Sequence, residues 1–311
     1  MTLPSGEHFT LETSTASGEL RATISSVGAA IRTLSINGID LVPALPEQAP
    51  APSACGVVLV PWPNRIRDGR WTLNGQPQQL ALTEPDRNNA IHGLLRFADY
   101  REIERDRDSV TLGANVYPQP GYPFLLETAV RYELVADGLR VTHFVHNVGS
   151  EKAPVAIGTH PYVKISDVPT ADLTLTLAAA SHIEVDDRLL PTGEVPVDDT
   201  EWDFRGGRRV GDIRLDDAFG EAQTDEDGMV EHTLTAPDGR SVSVWGDEEF
   251  GFVQCYTARN FPGEADGLAI AIEPMTAPAE AFNSGRGLSW VDPGEEWTCS
   301  WGIRFRGFHA E

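Results

Sequence analysis

Cysteine is scarce in this chain. Its 311 residues hold three, Cys55, Cys255 and Cys299. They are odd in number, far apart and without a C-x-x-C pair, which argues against a disulfide framework and a zinc site. Buried free thiols in a reducing compartment are the expectation. Positive charge is short too: 24 Lys and Arg face 47 Asp and Glu, for a formal net charge of −23. Such a balance speaks against nucleic acid or an anionic membrane as partner. No apolar run approaches the ~20 residues that cross a bilayer. The opening MTLPSGEHFTLETS has no basic start and no apolar centre, so no signal peptide is expected. The expected location is the cytoplasm. G-x-G-x-x-G, Walker and G-x-S-x-G motifs are missing, which disfavours a nucleotide enzyme and a common serine hydrolase. An amphipathic helix of ordinary length is missing as well.

What is present is β-sheet. Short β-rich runs cover residues 20–27, 56–60, 109–116, 125–135, 139–148, 172–177, 241–245, 250–257 and 297–305. Asn37-Gly38, Asn74-Gly75, Asp137-Gly138 and Asp238-Gly239 are turn signals, and the last two read as hairpins. In the final run Trp297, Cys299, Trp301, Ile303 and Phe305 share one face. Residues 41–53 and 185–212 read as loops. The fold class is all-β, a large antiparallel β-sandwich, with residues 1–311 as one domain.

Residues 267–282, GLAIAIEPMTAPAEAF, organise the rest. Leu268, Ile270 and Ile272 alternate with Ala269, Ala271 and Glu273. The second face is two small side chains and a carboxylate, a hollow that ends in an acid. Four other segments place polar groups at special positions. Asn64-Arg65 follows two prolines around Trp62, a rigid turn suited to hydroxyl or carboxylate oxygens. His92 precedes Gly93, which permits close backbone approach. His160 precedes Pro161, so its backbone is extended, and an imidazole there suits proton transfer near neutrality. Asp216 and Asp217 are adjacent, so at most one faces a given pocket. His143 and His146 point to opposite sides of a strand and make no local metal pair.

Taken in order, Asn64-Arg65-Ile66, His92-Gly93, His160 with Tyr162, Asp216 before Phe219, and Glu273-Pro274 resemble the aldose 1-epimerases, the galactose mutarotases. Gln254-Cys255-Tyr256-Thr257 and Pro293-Gly294-Glu295 add to the resemblance, which runs from about Gly56 to Phe305. It implies a large β-sandwich that interconverts sugar anomers without a cofactor. Glu273 would be the general base and His160 the general acid. Arg65, His92 and Asp216 would hold the sugar, and Asp216 could keep the imidazole charged. Trp62 or Trp245 could stack on a sugar face, though no motif carries either. Two stretches depart from the best-known members: Thr159-His160-Pro161-Tyr162-Val163-Lys164 around the acid, and Leu94-Leu95-Arg96, where many members have further glycine. They point to a divergent branch.

The expected partner is a monosaccharide, and the expected assembly a monomer or homodimer. Three readings compete with a free-aldose mutarotase. A glycoside hydrolase would use Glu273 and Asp216 as its two carboxylates. A carbohydrate-binding protein would need no acid and base. A sugar-phosphate mutarotase would need further Arg or Lys residues in the pocket.

Overall fold

The computed structural model describes residues 3–309 except 47 and 49. Met1 and Thr2 of the N-terminal segment, and residues 47 and 49 of the expected 41–53 loop, lie outside the described residues. All strand pairs between named strands are antiparallel. A nine-stranded sheet runs in the order Arg101–Arg105, Ser109–Val116, Leu126–Val135, Gly138–Asn147, Glu296–Arg306, Ser241–Gly246, Val230–Thr235, Thr174–Thr176 and Arg208–Arg209. A second sheet runs Pro191–Pro196, Ala179–Val185, Asp216–Ala222, Phe252–Ala258, Ala269–Met275, Gly158–Thr159 and Val58–Leu59, with Tyr162–Val163 also paired to Ala269–Met275. His8–Thr15, Gly18–Ser25, Ile31–Ile36 and Ile39–Asp40 form a four-stranded sheet. Among the described residues the α-helix is a single turn, Ala281–Ser284.

One buried apolar cluster joins these sheets. It takes Val130, Val141, Trp301 and Ile303 from the first, Phe219, Val253, Ile270 and Ile272 from the second, and Phe9, Leu11 and Leu20 from the third. Each fully buried large apolar side chain contributes on the order of 1.5–3 kcal/mol. The final strand shows the expected alternation: Cys299, Trp301, Ile303 and Phe305 are buried, while Thr298 and Arg306 are exposed. All three cysteines are free and buried. All four turn signals close hairpins, and Asn37-Gly38 and Asn74-Gly75 have positive φ at both residues, as the tight hairpin turn requires.

The expected loop at 185–212 is only partly one. Pro191–Pro196 is an edge strand paired with Ala179–Val185. Two prolines hid it, yet an edge strand tolerates proline because one side needs no N–H donor.

Gly93 is the glycine the site depends on. Its φ is +67°, and a Cβ there would meet the carbonyl oxygen of Val60 at 2.2 Å. Gly93→Ala is expected to cost about 2–3 kcal/mol from strain and backbone displacement. Chemical denaturation measures it; an unchanged midpoint would show that this contact does not constrain the loop.

Candidate active site

Strand register gathers the polar groups. Residues directly opposite in an antiparallel pair share a face, and alternate residues along a strand return to it. Gln254 lies opposite Glu273, and Tyr256 opposite Ala271. Asp216 lies opposite Tyr256, and Tyr162 opposite Ala271. Asp216, Gln254, Tyr256, Glu273 and Tyr162 therefore occupy one face of the second sheet. Asp217 takes the other face, where its carboxylate is 2.9 Å from Nε2 of His182. Of the two adjacent acids, Asp216 is the one at the cavity.

Two segments complete the wall. Arg65–Arg67 pairs with Asn89–Ile91, which brings Asn64 and Arg65 beside His92. The backbone N–H of Asn64 donates to Nδ1 of His92 at 3.3 Å, so the His92 proton sits on Nε2 as a donor. Asn64 and His92 both hold positive φ, 52° and 62°. Non-glycine residues in this region concentrate at sites where the surrounding structure over-determines them. His160 is fixed through its main chain: its N–H donates to Val57 at 3.1 Å, and its carbonyl accepts from Gly56 at 2.7 Å.

The result is a cavity of about 380 Å³ lined by all five candidates, Arg65, His92, His160, Asp216 and Glu273. That volume is in the range of small-molecule sites, roughly 300–1,000 Å³. Nε2 of His160 lies 3.3 Å from Oε1 of Glu273. Glu273 is 2% exposed. Burial, and then the Asp216 charge, push its carboxyl well above the ordinary range, against a smaller pull from Arg65. Burial holds the His160 imidazole down at about 4. Both shifts favour the neutral forms. Asp216 acts on Glu273, not on His160 as the sequence suggested, so its field raises the carboxyl instead of charging the imidazole. Among the described residues Nδ1 of His160 has no side-chain partner.

The sequence missed the polar frame around these groups. Nδ2 of Asn64 donates to Oε1 of Gln254 at 3.1 Å, and Nε2 of Gln254 donates to Oδ1 of Asp216 at 3.0 Å. Glu84 takes three hydrogen bonds from Arg65, at 2.9 to 3.2 Å, and one from Asn89 at 3.0 Å. Burial opposes its charge, but those donors and the nearby guanidiniums outweigh burial, and its pKa falls. Gln254 was visible only as part of a motif, and Glu84 carries no sequence signal at all. Arg87 and Arg96 also line the cavity. The tryptophans do not. Trp62 is 1% exposed and packs on Phe282 and Tyr122, while Trp245 lies on the nine-stranded sheet. The apolar core claims Trp62, the Arg304 guanidinium lies over the Trp245 ring, and neither indole is placed to stack on a sugar in this cavity. Among the described residues no group of three or more His, Cys, Asp or Glu could hold a metal ion.

The family model for aldose 1-epimerase matches residues 10–304. The chain belongs to the aldose 1-epimerase family. YihR of Escherichia coli K12, an uncharacterized protein, is 35% identical over 285 residues, 91% of this chain and 89% of YihR. Galactose mutarotase of Sus scrofa is 27% identical over 298 residues, 88% of this chain and 84% of that protein. The fold matches a GalM/aldose epimerase homologue from C. elegans with a TM-score of 0.82 at 20% identity, over 98% of this chain and 100% of that one. This aldose 1-epimerase relative has no helix, among its described residues, long and apolar enough to cross a membrane.

Burial fixes the sign of a titration. Water stabilises the imidazolium and the cavity wall does not, so His160 stays neutral until the pH nears about 4. Its folded value lies below the unfolded one near 6.5. Its contribution to stability is therefore present above pH ~6.5 and lost as the pH falls toward the folded value. An imidazole NMR titration checks this; a His160 midpoint near 6.5 would show that water reaches the ring.

Proposed function

We propose that this protein is a cofactor-independent aldose 1-epimerase that interconverts the α and β anomers of a free aldose, with Glu273 as general base and His160 as general acid. The supporting observation is the 3.3 Å contact between Oε1 of Glu273 and Nε2 of His160 at the wall of a sugar-sized cavity. Ring opening of a hemiacetal removes the proton of the anomeric hydroxyl and delivers one to the ring oxygen. Both oxygens are bonded to C1, so the two protein groups must lie close together.

Proton count fits that chemistry. Between them the neutral pair holds the carboxyl proton and the imidazole N–H. Moving the carboxyl proton to His160 gives a carboxylate and an imidazolium, the form that starts the reaction. Glu273 takes the proton from O1 as His160 gives one to O5, and the C1–O5 bond breaks. Rotation about C1–C2 turns the other face of the carbonyl to O5. Closure then reverses both transfers and restores the pair. Nε2–H of His92 and the guanidinium of Arg65 would donate to sugar oxygens, and Asp216, held by Gln254, would accept from hydroxyls.

Glu273→Gln is expected to lower kcat by about 10²–10⁴-fold, the usual scale for one proton transfer, while sugar binding largely persists. His160→Asn should lower kcat more than it raises KM. Anomer exchange of freshly dissolved pure anomers, followed by NMR or polarimetry, measures both. A near-normal rate in Glu273→Gln would remove it as base, and release of reducing sugar from a glycoside would point to hydrolysis instead.

A further inference from the structure

The cavity of this acidic protein is rich in positive charge. Arg65, Arg87 and Arg96 all line it, in a chain whose net charge is −23. The three are not equivalent. Arg65 and Arg87 share Glu84, at 2.9 and 3.2 Å. For Arg96 no carboxylate lies within 4.0 Å among the described residues. Its Nη2 reaches only the carbonyl of Thr83, at 3.5 Å, and its guanidinium lies 4.8 Å from the Phe97 ring centroid. That ring is 75% exposed and supplies no neutralising charge. Burial pulls the Arg96 pKa down, with Glu84 acting in the other sense from a distance. A guanidinium does not lose its proton in a protein, so a half-buried cation stands at the cavity wall without an ion-pair partner.

Its position indicates what it would meet. Arg96 and then Arg65 act electrostatically on His92, whose ring centroid is 5.7 Å from that of His160, and of the two Arg65 is already paired with Glu84. In the reading above, on which this inference rests, His160 serves the ring oxygen. The other neighbour of that oxygen is C5, which carries C6. A C6 substituent therefore leaves the ring on the side of His160 and His92, toward Arg96. The C2 to C4 hydroxyls turn toward Arg65, Asp216 and Gln254, groups that already have partners and suit neutral hydroxyls. We propose that the sugar carries an oxyanion at C6 and that Arg96 is the residue that selects it.

The test compares anomer exchange of glucose, glucose 6-phosphate, glucose 6-sulfate and glucuronate at low and high salt. These offer no charge, a tetrahedral dianion, a tetrahedral monoanion and a planar carboxylate. At least one charged sugar should exceed glucose in kcat/KM by about tenfold or more, the scale of one charge-assisted contact. Salt should shrink that advantage, and the best of the three identifies the anion. Arg96→Met should lower the charged-to-neutral ratio about tenfold, and Arg96→Lys should keep part of it. Equal turnover of all four sugars by the unaltered protein would overturn the proposal, as would an unchanged ratio in Arg96→Met. Binding of 1,5-anhydroglucitol 6-phosphate against 1,5-anhydroglucitol, by calorimetry, needs no anomeric hydroxyl. A preference for the phosphate there, with no exchange of any sugar, upholds the anion site and removes the epimerase reading. Exchange of all four sugars at equal rates, with no such preference, does the reverse.

Discussion

The ladder between Phe252–Ala258 and Ala269–Met275 is the constraint on which the cavity depends. Its register sets Gln254 across from Glu273 and Tyr256 across from Ala271. A slip of one residue would exchange the faces. Glu273 would turn toward the apolar core, and Ile272 would enter the cavity. That slip is opposed by Ile270 and Ile272, both fully buried in the main cluster. The burial that stabilises the sandwich is thus the same force that aims the carboxylate.

Dryness follows from the same arrangement. Ala269 and Ala271 leave room above the sheet, and Tyr162 and Phe261 cover part of it. What remains is a cavity whose walls exclude most water from Glu273. A carboxylate there loses hydration that the pull of Arg65 does not make up, so its proton is held more tightly. The neighbouring imidazole is pushed the other way for the same reason. Two groups whose ordinary pKa values differ by about two units are driven past each other. In such a pair the proton rests on the carboxyl, and its passage to the imidazole is the step that an acid and base with reversible roles require.

Much of this was legible in the sequence, and the limits have physical causes. Period-two alternation at 269–273 and 297–305 announced strands with one buried face, because burial acts on every second side chain. Turn pairs such as Asn74-Gly75 announced hairpins, because few residues accept positive φ. The choice between Asp216 and Asp217 was closed to sequence reading, since alternation says that they differ but not which one meets the cavity. The sugar-stacking expectation for Trp62 failed because a rigid Pro-Trp-Pro turn says nothing about direction, and the indole points into Phe282 and Tyr122. Glu84 was invisible because its role comes entirely from the ribbon that folds Arg65 and Asn89 around it.

The two departures from the best-known family pattern fall in different mechanical settings. Thr159-His160-Pro161 is pinned by main-chain bonds to Gly56 and Val57, so replacing its neighbours leaves the imidazole where it was. Leu94-Leu95-Arg96 lies in the loop after Gly93, outside any sheet. There a change at Arg96 alters the cavity wall without touching Glu273 or His160. Loops carried on a rigid scaffold are where specificity varies at least cost to the fold. In this chain that loop puts the Arg96 guanidinium at the cavity wall, so the charge of the wall can vary while the ladder that holds Glu273 stays as it is.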